Sequence, residues 1–466
     1  MSILRGYTSD SDEDEAAPNA HENAAVTSGQ EPPTKKLKSD TTSITPLSQL
    51  SAQHEQEQAE IKLAKAKAKQ LKAQRRDQGH DPWASYTDES QSTHPPPAHT
   101  PRQPQSLAKN NKNTNADDDD DDDIFRPTSE FVGSQEIDYQ GRSFTTTPQD
   151  LKDLVPGAQE CFTPKTIIHT FTRAHQHGVN KLCFFPRSGH LLLSCGNDGS
   201  IKLWSTHNGF ELMRIYKGHK LAVRDISFNS TGTKFLSCGY DKLIRLWDTH
   251  SGKVERTLEL TSIPHVLTFH PQLDSEFVVG LSNHKILHYD FTAMNFRSPV
   301  QVYDHHVGAI NALMPMDSGF VSTADDKTVR VWRWRINNPI KTISDAALFS
   351  MPALKHHPKS SYIALQSMDN RIKVVSARGK FKWNKNKVYV GHHCAGYGID
   401  IDFSPDGKII MSGDSKGYAY FWDWQSKKLV NRIKLATQPI KTITSHPLES
   451  SKVAVAGNSG DIYYLD

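Results

Sequence analysis

One pattern constrains this chain of 466 residues more than any other: a Ser, an Asp four residues later and a Trp six residues after that, repeated. Ser194, Asp198 and Trp204 form one copy; Ser237, Asp241 and Trp247 a second; Ser322, Asp326 and Trp332 a third. The flanking sequence repeats as well. Ser194-Cys-Gly-Asn-Asp198 runs into Ile201-Lys-Leu-Trp204, and Ser237-Cys-Gly-Tyr-Asp241 into Ile244-Arg-Leu-Trp247. Weaker copies put Tyr289, Val375, Trp422 and Leu465 at the Trp position, so the seven positions are spaced by 43, 42, 43, 43, 47 and 43 residues. Between them lie short runs rich in β-branched and aromatic residues, bounded by turn formers, which is strand composition. A fixed period over seven copies means seven equivalent units, each burying its apolar face only against its neighbours.

The period falls in the roughly 40–45-residue range of WD repeats, four strands to a blade. The fold class expected is all-β: a seven-bladed WD-repeat β-propeller over residues 165–466, preceded by a long, largely disordered N-terminal arm. The last copy meets Asp466 just after its third strand. The segment Thr166-Ile-Ile-His-Thr-Phe171 has strand composition and is expected to supply the missing outer strand, closing the ring and hiding an edge.

Composition divides the chain. Residues 1–150 hold 16 Lys and Arg against 26 Asp and Glu, a net of −10; residues 151–466 hold 39 against 26, a net of +13. Residues 1–130 are rich in Ser, Asp, Gln, Pro and Lys and poor in aromatics, the signature of a chain that cannot bury enough apolar surface to fold. Residues 117–123 are all Asp. One helix is expected at about 55–76, where Ala, Leu, Lys and Gln dominate. Lys35, Lys36 and Lys38 sit in accessible sequence like a nuclear-import signal, and Ser9 and Ser11 lie among acidic residues in a context for acidophilic kinases. Residues 131–164 read as a linker. The five cysteines include no C-x-x-C pair, which suits a reducing compartment. No apolar stretch approaches 18 residues and the first residues turn acidic at once, so neither a membrane span nor a signal peptide is expected.

Each strong copy is preceded by a histidine, giving three sets: His175, Ser194, Asp198 and Trp204; His219, Ser237, Asp241 and Trp247; His306, Ser322, Asp326 and Trp332. Ser, His and Asp together suggest a hydrolase triad. Three identical active sites in one ring argue against that, and the sets are expected to be buried structural chains running indole to hydroxyl to imidazole to carboxylate. Blade 6 keeps His392, Ser412 and Trp422 but has Lys416 at the Asp position; blades 3, 5 and 7 lack most of the set and are expected to rely on apolar packing or on neighbours. No P-loop, H-E-x-x-H or G-x-S-x-G motif occurs, so no catalytic residue, metal or cofactor is expected. The pairs His356-His357 and His392-His393 are poorly placed to share one ion.

The longest spacing contains a basic segment with Arg378, Lys380, Phe381, Lys382, Trp383, Lys385 and Lys387. Cations neutralise phosphates and aromatic faces stack on bases, so an RNA-contacting loop is one reading; an outer strand with inward-packed aromatics is the other. Arg330, Arg333 and Arg335, around Trp332 and Trp334, read as solvated charges on a blade strand.

Further pieces go beyond a generic propeller. They are Ile137-Asp-Tyr-Gln-Gly-Arg-Ser-Phe144 followed by Pro148-Gln-Asp150, an upstream arm motif with Pro82, Trp83 and Tyr86, and the internal Gln366-Ser-Met-Asp-Asn370, Ala395-Gly-Tyr397 and Phe421-Trp-Asp-Trp424. Together they resemble the pre-mRNA-processing factor 17 family. The resemblance implies a nuclear, non-catalytic scaffold of the spliceosome that supports the second step, exon ligation. Its implied partners are spliceosomal proteins, with small nuclear RNA and pre-mRNA nearby, and no membrane or small-molecule substrate. The alternative is a WD-repeat adaptor of another nuclear complex, such as a ubiquitin-ligase substrate receptor or a chromatin reader.

Overall fold

A computed structural model describes residues 126–137, 140–207, 209–344 and 348–466. The helix at 55–76, Lys35, Lys36 and Lys38, Ser9 and Ser11, the Asp run at 117–123 and the arm motif of Pro82, Trp83 and Tyr86 lie outside the described residues.

Seven antiparallel sheets follow one another. Blade 1 begins with Val179–Phe184, Leu191–Gly196, Ser200–Ser205 and Leu212–Lys217; blade 2 runs from Val223–Phe228 to Val254–Glu259, and blade 3 from Pro264–Phe269 to Gln301–Tyr303. Blade 4 spans Ile310–Met316 to Lys341–Ile343, blade 5 Ala353–His356 to Trp383–Val390, and blade 6 Ile401–Phe403 to Leu429–Lys434. Blade 7 takes Ile440–Ser445, Val453–Gly457 and Ile462–Leu465, and its outer strand is Ile167–Phe171, paired antiparallel from Ile167–Leu465 to Phe171–Ile462.

The core lies between blades. Second strands such as Leu191–Gly196 are buried along their whole length, because a neighbouring blade covers each face. Successive residues point to opposite faces. Leu193 therefore packs with Phe235 and Trp247 of blade 2, while Leu192 packs with Phe171, Trp204 and Tyr464 at the seam with blade 7.

The segment ahead of the propeller is built onto it. Thr128–Phe131 adds a fifth strand to blade 1, pairing Thr128 with Lys217 and Phe131 with Arg214. This corrects the boundary at 130, since these residues belong to the sheet. Arg214 explains the docking: its guanidinium meets Glu136 at 2.7 Å and lies 5.3 Å from the Phe131 ring and 5.9 Å from the Phe144 ring. Ser143 bonds His250 of blade 2 at 2.8 Å, and Leu151 is buried after a short 3-10 turn, Gln149–Leu151. The strap then reaches the turns between first and second strands of blades 6 and 7. There the Cys161 amide donates to Asp406 at 2.8 Å and the Phe162 amide to the Ser450 carbonyl at 3.1 Å.

Candidate functional site

The three repeated sets close into hydrogen-bonded chains. In blade 1 the Trp204 indole donates to Ser194 Oγ at 2.9 Å, His175 Nε2 lies 2.8 Å from that oxygen, and His175 Nδ1 lies 3.0 Å from Asp198. Blade 2 repeats this with Trp247, Ser237, His219 and Asp241 at 2.9, 2.7 and 2.9 Å. Blade 4 repeats it with Trp332, Ser322, His306 and Asp326 at 2.8, 2.7 and 2.9 Å. Burial lowers the His175 and His306 pKa values, which keeps these rings neutral: Nδ1–H donates to the carboxylate and Nε2 accepts the serine proton. Burial alone would raise the Asp198 carboxyl, but the His175 hydrogen bond and Ser200 hold it at about 2. Ser194, Ser237 and Ser322 are fully buried, and each already receives an indole proton. No reacting atom can approach such a hydroxyl, so the sets tie an outer-lying strand to the loops at one end of each blade.

Blade 6 departs from the expected partial set. The Trp422 indole donates to the Val390 carbonyl at 3.1 Å, not to Ser412. His392 instead meets the Gln366 amide of blade 5 at 2.7 Å.

Blades 3, 5 and 7 carry polar devices that the repeat pattern did not reveal. His270, His357 and His446 each precede a proline in the turn after the first strand. Each ring accepts two backbone N–H groups at Nδ1: from Gln272 and Leu273, from Lys359 and Ser360, and from Leu448 and Glu449. The ring's far side then reaches the next blade. His357 Nε2 donates to the Gly407 carbonyl of blade 6 at 2.9 Å, His446 bonds the Gly189 backbone of blade 1, and the His270 ring sits 4.3 Å from that of Trp334 in blade 4. Gly407 (φ +77°) and Gly189 (φ +66°) are required there, since a Cβ would stand 2.4 Å from the facing imidazole in each case. The repeated His-Pro dipeptide, two blades apart, was the available signal. Blade 3 adds a buried Glu276–His288 pair at 2.9 Å, joined by Arg335 of blade 4, whose side chain remains exposed while it reaches across the seam.

The basic segment is resolved into two parts. Residues 378–382 form the turn between the third and fourth strands of blade 5, and Trp383–Val390 is its outer strand. Val375 pairs with Trp383 but Lys373 with Val388, so a wide bulge absorbs the extra residues of the longest spacing. Lys380, Phe381, Lys382, Trp383 and Lys385 line one wall of a groove of about 630 Å³ whose other wall is Ile340, Lys341, Thr342, Ile343 and Ser344 of blade 4. Phe381 and Trp383 pack against the core between blades 4 and 5, which leaves the lysines as the outward groups. Arg378 is exposed beside the groove, and Lys387 turns away, its ammonium 3.6 Å from the Trp424 ring centroid.

Among the described residues no group of three or more His, Cys, Asp or Glu is arranged to hold a metal. No helix among them is long and apolar enough to cross a membrane. The five cysteines are free thiols, and burial pushes Cys161 and Cys394 up to about 11.

Fold and site define a WD-repeat β-propeller whose repeated polar sets serve packing. Consistently, the family described as "WD domain, G-beta repeat" matches residues 165–205, 210–248, 297–333 and 383–423. The chain belongs to the pre-mRNA-processing factor 17 family. It is 38% identical over 399 residues to Pre-mRNA-processing factor 17 of Saccharomyces cerevisiae, covering 83% of this chain and 86% of that protein. It is 38% identical over 396 residues to the Homo sapiens protein of that name, covering 83% of this chain and 66% of the relative. A more distant relative, WD repeat-containing protein 25 of Mus musculus, is 24% identical over 315 residues, 65% of this chain and 58% of that protein.

Proposed function

We propose that this chain is a non-catalytic scaffold of the spliceosome, working in the nucleus and supporting exon ligation. The observation that carries the reading is the family relationship across the propeller and its strap. The buried, proton-saturated Ser–His–Asp sets support the non-catalytic part, because the hydrolase-like constellations of the sequence lie beyond reach of a substrate. The names of the relatives do not favour a ubiquitin-ligase receptor or chromatin reader. Depleting the chain from a splicing extract leaves the first step intact while lariat intermediate and free 5′ exon accumulate. Accumulation of unspliced precursor alone would reject the second-step assignment.

On this reading the partners are spliceosomal proteins, and the groove between blades 4 and 5 meets RNA through phosphates. Its lysines face outward, while Phe381 and Trp383 are half-buried against the core and line the same groove. Every phosphate that a lysine no longer neutralises lowers the salt slope of RNA binding by about 0.7–0.9. Reversing Lys380, Lys382 and Lys385 to Glu therefore reduces that slope by roughly two to three in titrations at several salt concentrations. An unchanged slope removes the groove from the RNA interface.

A further inference from the structure

The groove between blades 4 and 5 carries charge of one sign. Lys341 on one wall and Lys380, Lys382 and Lys385 on the other are all exposed, and no carboxylate of the described residues lines the space between them. None of these four ammonium groups is held by an ion pair or hydrogen bond among the described residues. The volume of about 630 Å³ lies in the range of pockets that take a drug-sized molecule, which is room for about one or two nucleotides and not for a double helix.

Three groups in the groove suit an unpaired base. Phe381 and Trp383 each pack against the core between the blades and each line the groove, so part of each half-buried ring stays open to it. Phe381 sits at φ +46°, a left-handed conformation uncommon for a bulky side chain, in the turn that forms this wall. The third group is backbone. The Ile340 amide donates to the Val331 carbonyl at 2.7 Å, so Val331 turns its polar groups toward the outer strand of blade 4, Lys341–Ile343. Bonded and non-bonded pairs alternate along an antiparallel ladder. Thr342, opposite Arg330, therefore turns its N–H and carbonyl away from the blade, and it lies on the wall facing the two rings. An N–H beside a C=O matches the donor and acceptor that stand side by side on the pairing edge of a base.

We propose that this groove seats single-stranded RNA, with an unpaired base against Phe381 and Trp383, its edge at the Thr342 backbone, and the flanking phosphates over Lys341, Lys380, Lys382 and Lys385. The inference rests on the RNA reading of the groove and adds the form of RNA it takes. In a duplex the base faces are stacked and the pairing edges occupied; a splayed single strand offers faces, edges and phosphates at once. Every base has a π-face and a neighbouring donor and acceptor on its pairing edge, so the seat selects strandedness and not sequence. A duplex carries the denser phosphate charge, so a groove that met phosphates alone would favour the duplex instead.

The test uses the full chain and two fluorescein-labelled probes of about 12 nucleotides, oligouridylate and a G·C-rich RNA duplex. Oligouridylate binds more tightly than the duplex, and Trp383→Leu lowers its affinity on the order of tenfold while leaving the salt slope unchanged, because stacking releases no counterions. The unaltered chain gives a second measurement that no folding defect can confound: oligouridylate carrying 5-iodouridine, irradiated in the bound state, cross-links to Trp383 or Phe381 by peptide mapping. Duplex binding at least as tight as single-strand binding, or cross-links confined to other peptides, overturns the proposal. If the reversal of Lys380, Lys382 and Lys385 still lowers the salt slope in that case, the groove remains an RNA contact through phosphates and only the single-strand seat is lost; an unchanged slope removes both. An oligoglutamate peptide that displaces oligouridylate at equal concentration, and loses that ability in Trp383→Leu, assigns the groove to an acidic strand paired at Thr342, as Thr128–Phe131 is paired on blade 1, and overturns the proposal as well.

Discussion

Ser237 receives the Trp247 indole proton and faces the His219 ring, all inside the seam between blades 1 and 2. Truncating it to Ala strands a buried donor and a buried acceptor, each worth ~1–3 kcal/mol when left without a partner. The expected result is a lower urea midpoint with unchanged slope, and no change in any hydrolytic turnover. A loss below about 0.5 kcal/mol, the scale of a neutral surface change, would mean the chain of hydrogen bonds does not hold the blade. The Ser, Asp and Trp members of these sets were legible because their spacing is rigid within a hairpin. The His-Pro turns of blades 3, 5 and 7 were not. Their partners, the Gly407 and Gly189 backbones, lie in the following blade and leave no fixed spacing to read.

At the scale of elements, the four-stranded blades follow from a period that only stacking can satisfy, and the position of the seventh outer strand follows from where the third strand ends. The fifth strand of blade 1 gave no such signal. Thr-Ser-Glu-Phe is four residues long, half exposed, and abuts an acidic run that reads as unfolded. Its stability comes from tertiary contacts: Phe131 on Phe144 at 5.4 Å, both under Arg214. Changing Phe131 and Phe144 together to Ser should release the strand and strap while the ring stays closed. Hydrogen exchange then accelerates along Leu212–Lys217 and in residues 140–151, with the innermost strands unaffected. Exchange that rises equally in blades 3 and 4 would mean the strap is part of the global fold rather than an added layer.

The ring as a whole is held by seams, and several of these contain buried imidazoles. Burial drives His190 and His392 down to about 4 and His446 to about 3, with Lys452 adding to the shift of His446. Unfolded histidine titrates near 6.5. Between that value and the folded one the unfolded chain holds protons that the folded chain refuses, so stability falls as pH falls through this window. Asp198, held at about 2, acts in the same direction below the ordinary carboxyl range, since its protonation also favours the unfolded chain. Asp225 opposes them: burial raises it to about 6, so the folded state takes up its proton first as pH drops from there. Three imidazoles outweigh one carboxyl. The stability of the propeller is therefore level from pH 8 to 7 and declines from about 6.5 toward 4, by an amount on the order of several kcal/mol at the lower end, and its thermal midpoint falls with it. A scanning-calorimetry series giving a constant midpoint down to pH 4.5 would show that these rings are protonated in place. The seams of blade 7 with blade 1 and of blade 5 with blade 6 would then be wetter than the packing of His446, His190 and His392 requires.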